Sequence, residues 1–446
     1  MTQLIFNIQD MTWDGRGVSR TPEGRVVMIS GALPGDSVTA HLAPTESRGP
    51  LLGIVDELIT PSPDRVNHPC QYHARGCLTT PLGDWRYEAA LAWKARHLGQ
   101  TLRRIGGLIE PVITDPIPSP RQWGYRERLE LHLFQVYEQW WLGYLTPDGY
   151  FPLKDCLLGT DPVRQALSRL VFALGSSVEN SAWNPPMPLE SRKNSPRLVI
   201  RDNGHGEAVA VLFIRNSEGT DLPVLRQALH HAEFAGWQIR HAPSMKLRFM
   251  VSQLIDAEGR PHLHLKVADR ELTADPVVFS QVNREAAALL TQRIMDELPD
   301  QGAILDLYGG YGAFALDYSL SKGGQAVVVE ASIPAVRTGQ AFAREQGLPV
   351  EYFTADLASR RLPVSMLKRR QAVILDPPRA GASLELIELL NEAGPPLVIY
   401  VSCHPASLAR DVKLLRAYRP RSFTPVDLFP QTPDLETVAL LDRIAS

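Results

Sequence analysis

Through the first 58 residues apolar and polar positions alternate in short runs. Leu4 to Ile8, Arg25 to Ser30, Ser37 to Leu42 and Leu51 to Leu58 read as strands, separated by turn signals at Asp14-Gly15, Glu23-Gly24 and Pro34-Gly35. Strands and turns at this spacing predict a small antiparallel barrel, and Pro61-Ser62-Pro63 marks the exit from it. From Trp85 to Leu102 the apolar residues recur at helical spacing, predicting a helix from Tyr87 to Ile105. Strand patterns return at Leu129 to Val136 and Trp140 to Leu145, then at Arg197 to Arg201, Ala208 to Ile214, Leu247 to Val251 and His262 to Val267. They predict an antiparallel sheet in the middle of the chain.

Near Asn283 the rhythm changes. A helical stretch, Arg284 to Leu298, is followed by apolar runs at Ala303 to Leu307, Gln325 to Val329, Val350 to Phe353, Ala372 to Leu375 and Leu397 to Ser402, with helical segments between them. Alternating helix and strand is the pattern of a doubly wound parallel sheet, whose ligands sit at the carboxyl ends of the strands. The expected organisation is a multidomain α/β protein: a β-barrel over residues 1–58, a central α+β domain over 59–268 and a Rossmann-like domain over 269–446.

Composition narrows the class. The 446 residues are 44% hydrophobic and 21% charged, which fits folded domains, and no apolar stretch approaches the length of a membrane span. The N-terminus has no basic flank, so no signal peptide is expected. Four cysteines, Cys70, Cys77, Cys156 and Cys403, are too few for a disulfide framework and point to the cytoplasm. A net charge of -3 means that a polyanion would have to be held by local clusters. Candidates are Arg360, Arg361, Lys368, Arg369 and Arg370, and a second group of Arg96, Arg103, Arg104, Arg121, Arg126 and Arg128. Either run alone also reads as a solvated face.

The first loop of the α/β region runs from Asp306 through Tyr308, Gly309, Gly310, Tyr311 and Gly312 to Phe314. Glycines there let the backbone approach a cofactor closely. A dinucleotide fingerprint is not met, because Ala315 stands where the third glycine would be and the acidic Asp306 disfavours a pyrophosphate. That acid suits the cationic amino-acid end of S-adenosylmethionine. Glu330 closes the next strand, where a carboxylate can accept from both ribose hydroxyls, and Asp356 ends the third. Such acids can also simply cap helices. The fourth strand ends in Asp376-Pro377-Pro378-Arg379; Arg379 replaces the aromatic residue that would stack on a base in amine methylation. The fifth ends in Ser402-Cys403-His404-Pro405, placing a candidate nucleophile at the cofactor edge, with Arg410 nearby to favour the thiolate.

These residues resemble the RNA uridine C5 methyltransferases, specifically those with an N-terminal TRAM domain that make 5-methyluridine in ribosomal RNA. The resemblance runs from Gly15-Arg16-Gly17-Val18 and Ala32-Leu33-Pro34-Gly35-Asp36 through Phe279-Ser280-Gln281-Val282-Asn283, the loop 306–314 and Asp376 to Arg379. It continues over Ser402 to Pro405, Leu408 to Asp411, and Phe429-Pro430-Gln431-Thr432 leading to Glu436. It implies that the Cys403 thiolate adds to carbon 6 of uracil, that Glu436 removes the carbon 5 proton and that Asp376 orients the uracil edge. It further implies that Gln281, Tyr308, Glu330 and Asp376 line the cofactor or its join with the base and that Phe279 offers an aromatic face to an extruded base; Gly310, Gly312, Asp306 and Asp356 are assigned to the cofactor by the loop and strand ends themselves, and Arg126 and Arg379 are candidate substrate contacts. Without the family, Phe279 reads as core packing and Glu436 as a surface acid.

The chain departs from that family at its iron-sulfur site. Cys70, Cys77 and Cys156 align with three of the ligands, but Thr80 stands at the fourth. His73 or His68 could complete a cluster, or the three thiols could be remnants. Asp434 replaces the usual histidine two residues before Glu436, and His262 with His264 shares one strand face without an evident third ligand. The expected partner is RNA, foremost large-subunit ribosomal RNA, with the protein a monomer and no membrane involved. The rivals are methylation of transfer RNA, a non-catalytic RNA-binding or assembly factor, and a nicotinamide-dependent oxidoreductase.

Overall fold

A computed structural model describes residues 4–43, 49–136, 139–146, 149–175, 195–215 and 221–444. The chain divides into two compact units, residues 1–97 with 429–435 and residues 98–428 with 436–446.

In the first unit, six strands make one sheet: Ile5–Asn7, Asp10–Met11, Gly17–Arg20, Val26–Ser30, Ser37–Leu42 and Leu51–Thr60. Neighbours run antiparallel except Val26–Ser30 and Leu51–Thr60, which are parallel. Alternation sends Phe6, Ile8, Val27, Ile29 and Val38 into a common core. Asp36, 1% exposed, accepts from the Leu33 and Ser62 backbone N–H groups at 2.7 and 2.8 Å and pairs with Arg65. One buried carboxylate thus ties the Pro34-Gly35 turn to the chain leaving the sheet. The helix Tyr87–Arg104 begins here, and its Trp93 packs with Trp85, Leu33 and Leu82. Buried Lys94 donates to the Phe429 carbonyl at 3.1 Å, which fixes the segment 429–435 in this unit.

The second unit holds two seven-stranded sheets. The central one has the order Gln253–Gly259, Gly236–His241, Ala208–Ile214, Arg197–Asp202, Arg128–Val136, Gln139–Thr146, Gly149–Pro152. It departs from the expected purely antiparallel sheet, because Ala208–Ile214 and Gly236–His241 are parallel, joined through the helix Leu222–His231. Residues Leu247 to Val251 are also not a strand. The chain must reverse after Gly236–His241 to supply an antiparallel neighbour, and these residues make that turn, with Leu247 and Val251 about half exposed. A separate hairpin, Leu263–Val267 with Arg270–Ala274, follows.

The C-terminal sheet comprises β1 (Ala303–Leu307), β2 (Gln325–Glu330), β3 (Val350–Thr354), β4 (Ala372–Leu375), β5 (Leu397–Ser402), β6 (Tyr418–Val426) and β7 (Glu436–Arg443). Its helices are α1 (Arg284–Met295), α2 (Ala313–Lys322), α3 (Ile333–Glu345), α4 (Leu384–Ala393) and α5 (Pro405–Leu414). The order is β3-β2-β1-β4-β5-β7-β6. Strands β1 to β5 are parallel and, at the sheet centre, buried on both faces, which explains their unbroken apolar runs. The order reverses between β1 and β4, opening the crevice in which such sheets bind ligands. Strand β7 runs antiparallel to both β5 and β6. It therefore begins at the edge where the parallel strands end.

Candidate active site

The chain leaves β1 through Tyr308, whose φ of +61° is unusual for a residue with a side chain. Its backbone N–H donates to the Val329 carbonyl at 2.9 Å, and burial pushes its phenol up to about 12. Gly312 follows at φ +85°, where a Cβ would lie 2.5 Å from the Tyr352 hydroxyl, so only glycine lets the loop close on β3 and start α2. At Gly310, with φ +59°, a Cβ would meet nothing within 4 Å. The loop leaves open space at that point.

Three acids gather around the loop. Glu330 at the end of β2 accepts from the Gly310 N–H at 3.0 Å and from the Ser332 N–H at 2.6 Å. Asp306 is completely buried behind the loop, where one oxygen accepts from the Ala315 N–H at 3.3 Å and Oδ1 has no hydrogen-bond partner among the described residues. Burial first, and the Asp376 charge second, push Asp306 up to about 8. Asp376, following β4, is raised by burial and by Glu330. Mutual repulsion among carboxylates with raised proton affinity is relieved by a cation. Together with the cradle at Gly310, this fits S-adenosylmethionine, whose sulfonium and ammonium are both positive. Asp356 is exposed after β3 and accepts from the Ala358 N–H at 2.9 Å.

Register brings the next two residues together. Ser402 pairs with Thr437 at the end of β5 and Val426 with Glu436 at the end of β6. One step past Ser402 and Thr437 lie Cys403 and Glu436, at the same end of the strand pair. Cys403 is half-buried just before α5, whose first turn is capped by the His404 ring accepting from the Ser407 N–H at 3.3 Å. Glu436 is 2% exposed. The buried acid is the feature that a surface reading of Glu436 misses. Arg410 directs its guanidinium to Asp411, at 2.7 Å, and to the Ala380 carbonyl, at 2.8 Å. It is thus committed to the loop after β4, contrary to the expectation that it favours the thiolate.

The segment carrying Phe279 and Gln281 is fastened from the central sheet. Arg201, 3% exposed, donates to the Pro276 carbonyl at 2.8 Å, the Val278 carbonyl at 2.6 Å and Ser280 Oγ at 2.5 Å. Asn283 closes the other end, donating to Ser119 Oγ and the Leu428 carbonyl while capping α1. Phe279 is 53% exposed, with the Arg128 guanidinium 5.2 Å from its ring centre. An aromatic ring backed by a cation and open to solvent is not core packing and is able to stack on a base. Sequence reasoning missed Arg201 because nothing local distinguishes a buried arginine on a strand. Arg128 was read only as a member of a basic run.

The other expected residues are placed differently. Arg126 is turned inward onto the Tyr125 ring at 5.9 Å, and its Nε is buried, so it is not presented as a phosphate contact. Arg379, Arg360, Arg361, Lys368 and Arg369 are exposed, as are Arg96, Arg103, Arg104 and Arg121, although Arg121 pairs with Glu285 at 2.7 Å and Arg361 with Glu392 at 3.3 Å. Of the three expected iron-sulfur ligands, Cys70 and Cys77 belong to the first unit and Cys156 to the second. Cys77 Sγ lies 3.2 Å from Thr79 Oγ1 and Cys156 Sγ 3.5 Å from the Tyr144 hydroxyl. Thr80 is buried, its hydroxyl 3.1 Å from His68 Nε2. A hydroxyl held this way does not replace a thiolate, so Thr80 does not supply a fourth thiolate to Cys70, Cys77 and Cys156.

Strand order and the acid-rimmed glycine loop define an S-adenosylmethionine-dependent methyltransferase fold. Residues 353–444 match the tRNA (Uracil-5-)-methyltransferase family model. Over that stretch the chain is similar to the RNA uracil-C5 methyltransferases. An uncharacterized RNA methyltransferase of Gloeobacter violaceus is 29% identical over 445 residues, covering 96% of this chain and 94% of the relative. The 23S rRNA (uracil(1939)-C(5))-methyltransferase of Alcanivorax borkumensis is 28% identical over 451 residues, covering 98% and 96%. In fold the chain is similar to the tRNA (uracil-54, C5)-methyltransferase of Pyrococcus abyssi, solved with S-adenosyl-L-homocysteine, with a TM-score of 0.72 and 23% identity over 98% of this chain and all of that one. No described helix is long and apolar enough to cross a membrane.

Proposed function

We propose that this chain methylates carbon 5 of a uridine in large-subunit ribosomal RNA through a transient bond between Cys403 and carbon 6. The supporting observation is the antiparallel insertion of β7, which starts Glu436 at the edge where β5 delivers Cys403. Carbon 5 of uracil is a weak nucleophile. Addition of the Cys403 thiolate to carbon 6 breaks the carbon 5–carbon 6 double bond and moves its electrons into an enolate, which makes carbon 5 reactive. When bound, S-adenosylmethionine supplies an electrophilic methyl group at that carbon. Glu436 then takes the carbon 5 proton, the double bond re-forms and the thiolate leaves.

Asp376 would orient the uracil edge, while Gln281, Tyr308, Gly310, Gly312, Glu330 and Asp356 would hold the methyl donor. Phe279 offers its open face to the base, which must leave its stack to expose carbon 6. The six-stranded sheet of the first unit, read as a TRAM barrel, and the exposed arginines would grip the RNA through shape and phosphates.

The test is incubation with 5-fluorouridine-containing RNA and methyl donor, since fluorine cannot be abstracted as a proton. A denaturation-resistant adduct that disappears in Cys403→Ala is expected, and Glu436→Gln should accumulate the adduct on ordinary RNA. Methylation without any trapped adduct would sink the covalent route. Unmodified large-subunit ribosomal RNA and transfer RNA assayed side by side decide the substrate, and no transfer to either favours the non-catalytic reading.

A further inference from the structure

We propose that His205, His264 and Glu271 form a site for a borderline divalent transition-metal ion of the zinc and nickel class. Ligand atoms of the three residues all lie within 4.8 Å of one another, the one group of this kind among the described residues. Glu271 Oε2 is 2.7 Å from His205 Nε2 and Glu271 Oε1 is 3.0 Å from His264 Nδ1. The two imidazoles stack with centres 3.8 Å apart and planes 16° apart.

Rigid backbone holds each donor in place. In the hairpin, His264 faces Thr273 and Lys266 faces Glu271, while Leu263, Leu265 and Leu272 point to the core. The period of two therefore puts His264 and Glu271 diagonally on the outer face. His205 comes from a different segment, a turn organised by buried Asn203. The Asn203 side chain accepts from the His205 N–H at 2.8 Å, and its carbonyl accepts from the His264 N–H at 2.7 Å. Gly204 permits this approach: at φ +96° a Cβ there would lie 2.4 Å from the His264 carbonyl oxygen. The turn and the hairpin are locked before any ion binds, and side chains need only small rotations to converge.

Donor chemistry selects the ion. Two imidazoles and one carboxylate match zinc, nickel or cobalt, whereas magnesium and calcium demand oxygen donors. Three protein ligands leave further positions to water. A bound ion would join the 203–207 turn to the hairpin as a staple. His262, which the pattern places on one strand face with His264, lies just before the strand and takes no part.

The experiment is calorimetric titration of untagged full-length protein with Ni2+, followed by thermal unfolding with and without the ion. The wild type is expected to bind one more equivalent than His205→Ala/His264→Ala, and to gain thermal stability that the double variant does not gain. Because the side chains are exposed or partly so, the double variant should fold as the wild type does, which unfolding without metal checks. Glu271→Gln should weaken binding by at least about tenfold, the scale on which even outer-sphere partners act. Equal stoichiometry and affinity in wild type and double variant would overturn the proposal. So would displacement of Ni2+ by an equal concentration of Mg2+.

Discussion

Replacing Arg201 by methionine tests whether the central sheet positions the proposed substrate platform at Phe279. Arg201 donates to two backbone carbonyls and one hydroxyl in the segment 276–280, from a site only 3% exposed. Methionine fills much of the same volume and removes a buried charge, but leaves the Pro276 and Val278 carbonyls without these donors. At about 1–3 kcal/mol for each buried acceptor left unsatisfied, and allowing for the relief of desolvation, the net loss should be about 2–4 kcal/mol. The functional loss should be larger than stability alone dictates. Phe279 and Gln281 ride on this segment, and a misplacement of about 1 Å can cost about 100-fold in rate. Urea unfolding measures the first effect; kcat/KM for methyl transfer, taken where the variant is fully folded, measures the second. Arg201→Lys, which keeps one set of donors, should recover part of both. A variant that loses stability yet keeps its kcat/KM refutes the positioning argument, and one that loses neither refutes the reading of the hydrogen bonds as well.

The pH dependence of stability should carry the signature of Asp306. The unfolded carboxyl ionises near 3.8 while the folded one keeps its proton until about 8, so its contribution to stability falls between those values and is flat above them. Asp306→Asn should therefore unfold at a higher urea concentration than wild type at about pH 9 and lose that advantage at about pH 5; parallel curves would exclude the protonated acid. Because Asp306, Glu330 and Asp376 repel one another, the sulfonium donor should gain affinity over its neutral thioether product as pH rises from about 6 to 9, read by calorimetry, and a pH-independent ratio would count against the acid cluster. Gly312→Ala should cost more stability than Gly310→Ala. The first meets Tyr352 in addition to the left-handed strain of about 1–2 kcal/mol that both incur. Gly310→Ala should instead weaken donor binding, because its Cβ enters the open space; unchanged binding would place the donor elsewhere.

Much of this molecule is legible in one dimension. The runs at Ala303–Leu307, Ala372–Leu375 and Leu397–Ser402 coincide with their strands, because a strand buried on both faces is apolar throughout and bounded by turn residues. The glycine loop and the acids at strand ends are likewise local patterns, and they sufficed to indicate a cationic cofactor. The run Leu247 to Val251 misled for the converse reason: its pattern is that of a strand, but the chain needs those residues to reverse direction.

What sequence alone determined is the set of chemical groups and the parallel framework, since composition and period follow directly from local burial. Tertiary structure decided which groups meet. Glu436 reads as a surface acid until β7 is seen to slot antiparallel between β5 and β6, which buries it beside the end of the strand leading to Cys403. Arg126 and Arg410 looked available until the fold turned one onto Tyr125 and committed the other to Asp411. His264 found partners 59 residues upstream and 7 downstream, in His205 and Glu271. Such pairings depend on strand order and chain reversal, which are set by burial summed over the whole chain and leave no mark in the spacing of the residues concerned.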